Sequence, residues 1–278
     1  MNQYDFEKSK IIDKELISII DELPLWSAPF GLSLLEKVKI GRNLSVLDIG
    51  FGTGFPLIEI AQRLGESSRV YGIDPWKDAI DRALLKITKY EINNVGLING
   101  RAEKLPFGSS FFDIIVSNNG LNNVEDLNET LSECSRVSKK GAQLLFTMNL
   151  EGSMIEFYNV LNEELEKENN TTAVENMKKH IYEKRRPLKE IRQLLNENAF
   201  NVNEITEHVF FLRFADCSAM FGHSLIKYWF FDSWKKILEP EDFKPVFSRV
   251  LDRLNKQAEE YGDLKLTIPY AVINCVRI

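Results

Sequence analysis

The stretch SVLDIGFGTGF, residues 45–55, decides the reading of this chain. Ser45 to Ile49 is a short apolar run of the kind that forms a strand buried on both faces, and it breaks at once into three alternating glycines, Gly50, Gly52 and Gly54. Glycine turns sharply at the end of a strand and lets backbone approach a ligand without a Cβ in the way. The start of a following helix offers free N–H groups to the same ligand. In an open α/β sheet this is where nucleotides dock, although a tight turn that binds nothing produces the same glycines.

Outward from this turn the pattern repeats. PLIEIAQRLG, RVYGID, KDAIDRALLKITKY and NVGLING alternate amphipathic helix with apolar strand, and FFDIIVS (111–117) and AQLLFTM (142–148) extend the alternation. Strands apolar on both faces, separated by helices, predict a parallel sheet covered on both sides; right-handed crossovers make it a doubly wound, Rossmann-like α/β sheet. After residue 150 helices are expected over about 152–168 and 173–183. PLKEIRQLLNENAF reads as a helix stopping near Asn198, before a strand that begins at Phe200. Two long aromatic-rich helical segments, DCSAMFGHSLIKYWFFDSWKKIL and EDFKPVFSRVLDRLNKQAEEYG, precede the closing strand LKLTIPYAVINCVRI. Residues of about 213–262 are thus expected to be a helical lobe on the sheet edge, inside one domain of residues 41–278. Residues 1–40 read as an N-terminal helical cap, with one helix over about 6–22 and a second from Ser27 and Pro29.

The chain has 278 residues, 44% of them apolar, enough for one substantial core. No uncharged apolar run approaches the roughly 18 residues of a membrane span, and MNQYDFEKSK lacks the apolar centre of a signal peptide, so a soluble, cytoplasmic protein is expected. Cys134, Cys217 and Cys275 are odd in number and far apart, which fits reduced thiols, and no Cys-x-x-Cys or paired-His spacing announces a metal. A net charge of -6 argues against a nucleic-acid surface and suits a small neutral or cationic substrate better. The local exception is KKHIYEKRRP, residues 178–187, readable as a solvated helix end or as a contact for phosphate.

A dinucleotide fingerprint, G-x-G-x-x-G, would place a third glycine where this chain has Phe55. An acid also stands before the first glycine, Asp48. Asp74, at the end of VYGID, suits the ribose of either nucleotide class, since its carboxylate can accept from both hydroxyls. With VLDIGFGTG, VYGID followed by AIDRA, GRAEKLPF (100–107), FFDIIVSN (111–118) and SECSRVSKKGAQLLF (132–146) in this order, the chain resembles the class I S-adenosylmethionine-dependent methyltransferases, most closely the ubiquinone and menaquinone biosynthesis branch. The resemblance covers about residues 40–150, more loosely the final strands, and implies a seven-stranded sheet whose last strand is antiparallel.

The resemblance further implies S-adenosyl-L-methionine as cofactor. Asp48, Gly50, Phe51, Gly52 and Gly54 would pass beneath its methionine part and Asp74 would hold its ribose. Trp76 would lie against adenine, unless it is ordinary helix packing, and Ala102 and Glu103 would read the adenine edge. Two departures stand out: Phe51 replaces a small residue or cysteine, and Arg101 occupies a position that is often acidic. In SNNGLNNVED (117–126), Asn118 and Asn119 are candidates for the cofactor or acceptor, and Asn122 and Asn123 for the acceptor entrance; asparagine also serves turns and caps. Trp26 and Phe30, in the cap segment, are pocket walls or core. In the lobe, Phe221, His223, Tyr228, Trp229, Phe230 and Trp234 concentrate aromatic side chains that suit an apolar acceptor, although aromatics in a long helix more often form core; His223 is the candidate base and Tyr228 a candidate for the acceptor, and His180 and His208 read as peripheral.

A sulfonium methyl is already activated, so no obligatory nucleophile follows from the chemistry. The expected function is methyl transfer to a small, partly apolar molecule. Alternatives are a cofactor-binding protein without transfer activity, and a protein or RNA methyltransferase; the amino-acceptor signature NPPY is replaced by NNGL. A dinucleotide oxidoreductase is a third reading, against which Phe55 and GRAEKLPF speak.

Overall fold

The computed structural model describes residues 26–278; the helix expected over residues 6–22 lies outside them. Strands β1 (Ser45–Ile49), β2 (Arg69–Asp74), β3 (Val95–Asn99), β4 (Phe112–Asn118), β5 (Ser138–Asn149), β6 (Phe200–Phe214) and β7 (Leu264–Arg277) form one sheet in the order β3-β2-β1-β4-β5-β7-β6. The first five run parallel and β7 pairs antiparallel with β5, as expected for a Rossmann-like sheet with a reversed last strand. Because the chain builds outward from β1 in both directions, a switch point lies between β1 and β4, where two strand ends diverge and leave a crevice. Val46, Leu47, Ile114, Ile115, Leu144 and Leu145 are wholly or almost wholly buried, which is why these strands read as continuous apolar runs.

The helices between the strands follow their amphipathic patterns. Helix Leu57–Leu64 buries Leu57, Ile58, Ile60, Ala61 and Leu64. Helix Leu127–Val137 is capped by Asp126, whose side chain accepts from the Glu129 N–H. Among the described residues the chain divides into two compact units, residues 26–153, 182–210 and 268–278 with most of the sheet, and residues 154–181 and 211–267, which are mainly helical.

The helical unit has a core of its own. Trp234 stacks on Phe157 with ring centroids 4.0 Å apart, Phe243 lies 4.2 Å from Phe247, and Phe221 meets both Trp234 and Phe247. The Trp234 Nε1–H donates to the Tyr158 hydroxyl at 3.0 Å, which also bonds His180 Nε2. Glu164, also buried, gathers Lys167, Arg249 and Arg253, which hold its carboxyl below the usual range. The expected helical segment from Asp216 to Leu238 is broken once, at His223: Cys217–Gly222 precedes the break, and after it a π turn over Ile226–Phe230 runs directly into Phe231–Lys235. Gly222 ends the first piece, and His223 leaves helical geometry at φ -65°, ψ 131°.

Candidate functional site

β1 and β4 end side by side, and glycine allows their turns to cross. A Cβ on Gly50 (φ +74°) would lie 3.0 Å from Gly120 Cα, and a Cβ on Gly120 would lie 2.5 Å from the Ile49 carbonyl oxygen. Neither position tolerates a side chain without backbone movement. Ser117 fastens the crossing by donating its hydroxyl to Ile49 O at 2.8 Å and accepting from the Leu121 N–H. Beyond it the chain opens: Gly52 (φ +54°) has no atom within 4 Å of where a Cβ would stand. Lys86 Nζ donates to Thr53 O at 2.6 Å and holds the outer limb of the turn.

Phe51 does not project into this opening. Its ring is buried against Gly72 in β2, where a Cβ would come within 2.5 Å of it. A glycine in the neighbouring strand thus accommodates the phenylalanine that departs from the expected small residue. Phe55, in place of a third glycine, has a comparable use. Its ring fits the notch of Gly31 on helix Ser27–Leu35, and that helix reaches β4 through Asn118 Nδ2, which donates to Ser27 O at 3.0 Å. Trp26 and Phe30 pack with Phe210 and Tyr270, with Phe30 fully buried, so this pair belongs to an aromatic cluster.

Two buried carboxylates, Asp48 at the end of β1 and Asp74 at the end of β2, stand beside the turn. Asp74 Oδ2 accepts from the Gly52 N–H at 2.9 Å and Oδ1 from the Trp76 N–H at 2.8 Å. A carboxylate has about four acceptor positions, so each oxygen retains one for a ligand. Burial raises the Asp74 pKa and these two N–H groups oppose the rise. Asp48 is fully buried, and neither of its oxygens has a hydrogen-bond partner. Burial first, and then the charge of Asp74, push its carboxyl up to about 8; the Leu57 N–H at the helix start opposes this without meeting hydrogen-bond geometry.

Trp76, two residues after Asp74, is 51% exposed. Across from the β2 end, Ala102 is buried. Arg101 is ion-paired with Glu125, and Glu103 Oε1 accepts from the Glu125 N–H at 2.7 Å, so both side chains tie the loop after β3 to the segment before helix Leu127–Val137. Glu103 Oε2 carries no hydrogen bond among the described residues.

The asparagines after β4 form one network. Asn118 Oδ1 accepts from the Thr147 hydroxyl at 3.0 Å, and Thr147 Oγ1 accepts from the Asn119 N–H at 2.9 Å. Asn119 (φ +61°) takes Nδ2–H bonds on its side-chain oxygen from Asn122 and Asn149, while Asn123 Nδ2 donates to its carbonyl. Thr147 and Asn149 are additions to the sequence reading. Both end β5, so the rule that ligands meet strand carboxyl ends would have found them. Asn149 Oδ1 is buried without a hydrogen-bond partner. His223 and Tyr228 lie in the helical unit, where His223 Nδ1 accepts from the Leu225 N–H and the Tyr228 ring carries Lys227 at 5.5 Å. Burial pushes the thiols of Cys134, Cys217 and Cys275 up to about 12, far from a nucleophile's range. No helix among the described residues is long and apolar enough to cross a membrane.

Comparison with known proteins places this geometry. A family model described as a methyltransferase domain matches residues 40–201. A demethylmenaquinone methyltransferase of Listeria monocytogenes is 34% identical over 110 residues, covering 40% of this chain and 46% of the relative. The chain spans about half the length of the curated relatives it matches. In solved structures the fold is similar to the YcgJ protein of Bacillus subtilis, with TM-score 0.59, 18% identity and coverage of 90% of this chain and 98% of that one. A SAM-dependent methyltransferase of Aquifex aeolicus gives TM-score 0.56 at 16% identity, over 96% and 100%. Since the matched span is more than half of the sequence and contains the whole β1–β4 crevice, the chain belongs to the methyltransferase domain family.

Proposed function

We propose that the protein is an S-adenosylmethionine-dependent methyltransferase acting on a small molecule. The observation that carries the reading is the Asp74 carboxylate, fixed by the Gly52 and Trp76 N–H groups at the lip of an open glycine turn with one acceptor position left on each oxygen. This suits two adjacent ribose hydroxyls. Exposed Trp76 suits an adenine face, the buried Ala102 backbone and free Glu103 Oε2 its edge, and the backbone of Gly50, Phe51, Gly52 and Gly54, with Asp48 beneath, the methionine part. Asn118 and Asn119 close the far end. The bound cofactor supplies an activated methyl group. The chain's own task is then to hold an acceptor in line and exclude water, which is worth up to about 7–11 kcal/mol without a nucleophile.

The relatives named demethylmenaquinone methyltransferases support a small, partly apolar acceptor. Asn122, Asn123 and the orphan Asn149 Oδ1 would orient it. Trp26 and, in the helical unit, His223 and Tyr228 are further acceptor candidates, with His223 the candidate base. Incubation with [methyl-³H]S-adenosylmethionine and the small-molecule fraction of a cell extract tests the reading. Label should pass into solvent-extractable product. Label in protein or RNA instead, or turnover nowhere despite cofactor binding, would refute it.

A further inference from the structure

The basic run of residues 178–187 ends at the site. Lys184 Nζ lies 3.4 Å from Asn123 Oδ1, and Lys184, Arg186 and Glu183 edge a small hollow of about 30 Å³ floored by Leu121, Val124 and Met148, with Asn122 on its wall. That volume holds a terminal group of a ligand and not a whole acceptor. Neither cation has a carboxylate in ion-pair contact: among the described residues Lys184 makes only the Asn123 contact, and the half-buried Arg186 has no ion pair or hydrogen bond, only the Tyr182 ring 5.8 Å from its guanidinium. An arginine partly withdrawn from water without an acceptor is costly unless a ligand supplies one. Glu183 offsets one of the two charges, leaving a net positive rim on a protein whose total is -6. The hollow adjoins the carboxyl end of β4, where the Asn118–Asn123 segment begins.

From this placement we infer that Lys184 and Arg186 form an anion subsite for the acceptor, which carries a phosphate or carboxylate group seated in this hollow while its methyl-accepting atom faces the crevice. The inference rests on the methyltransferase reading for the word acceptor, but the anion site stands by itself. Planar guanidinium and mobile ammonium together suit either oxyanion.

The test uses the full chain, titrated with inorganic phosphate and separately with benzoate at constant ionic strength, with and without S-adenosylhomocysteine, and read by calorimetry. Wild type should bind at least one probe saturably. The double substitution Lys184→Gln with Arg186→Gln should weaken that binding about tenfold or more while S-adenosylhomocysteine affinity and the circular dichroism spectrum stay unchanged. Lys184→Arg should retain it. Absence of saturable binding of both probes, or equal affinity in the double variant, overturns the subsite. Loss of S-adenosylhomocysteine binding in wild type, with phosphate or benzoate still bound, overturns the proposed function and leaves the subsite standing.

Discussion

Asp48→Asn should change how stability depends on pH. In the folded chain the Asp48 carboxyl is fully buried, unpartnered and beside the Asp74 charge, so it holds its proton up to about pH 8, against an ordinary value of 3.8. A carboxyl whose folded pKa is raised stabilises the fold fully below its ordinary value, and loses that contribution as pH rises through the folded value. The separation of the two values corresponds to a limit on the order of 5 kcal/mol, and local relaxation and water entry bring the expectation to about 2–4 kcal/mol between pH 5 and pH 8. Asparagine keeps the volume and cannot ionise, so it removes this slope and leaves only a constant offset from its own unpartnered amide. Urea unfolding of both proteins, without cofactor, at pH 5, 6, 7 and 8 reads the difference. The variant should gain on wild type steadily with pH. Parallel curves would mean that Asp48 is ionised and paired in solution, and the buried carboxyl pair would be wrong.

Other substitutions separate the parts of the site. Gly120→Ala places a Cβ 2.5 Å from Ile49 O, so it should destabilise by about 1–3 kcal/mol and weaken S-adenosylhomocysteine at least tenfold; normal affinity in calorimetry would show that the crossing does not shape the crevice. Gly72→Ala should cost a similar amount through the Phe51 ring, and Phe51→Leu in the same chain should recover part of it, a coupling that a double-mutant cycle in urea measures. Glu164→Gln should cost about 2 kcal/mol in the helical unit by leaving Lys167, Arg249 and Arg253 without their shared carboxylate. Because the Glu164 pKa is lowered, that contribution is present above the ordinary value of 4.5 and disappears as pH falls through the folded one, so the substitution should matter little in acid-unfolding endpoints.

The sheet was legible because its strands are buried on both faces: Val46, Leu47, Ile114 and Ile115 give uninterrupted apolar runs that no surface strand would carry. The turn was legible because Gly50 has a steric reason that leaves glycine in the sequence; Gly120, the residue it crosses, stands alone among asparagines and gives no such pattern. What Phe51 and Phe55 do was not legible. Each fills a notch made by a distant glycine, Gly72 and Gly31, and single positions do not reveal such long-range complementarity. The lobe aromatics read as core more readily than as ligand surface, and local spacing does not decide between the two, since burial of Trp234 and Phe157 against each other depends on tertiary packing. Thr147 and Asn149 are not legible because they follow the apolar run Leu144–Phe146 as single polar residues, which form no motif.

The most direct test of the central claim is calorimetric titration of the protein and of Asp74→Ala with S-adenosylhomocysteine, with NADH as control. The expected result is a Kd on the order of micromolar for wild type, no NADH binding, and a loss of about a hundredfold or more in the variant, the worth of two charge-assisted ribose bonds at about 1.5–3 kcal/mol each. Folded protein that ignores S-adenosylhomocysteine, or a variant that binds it as well as wild type, would contradict the assignment of the Asp74 crevice as a cofactor site.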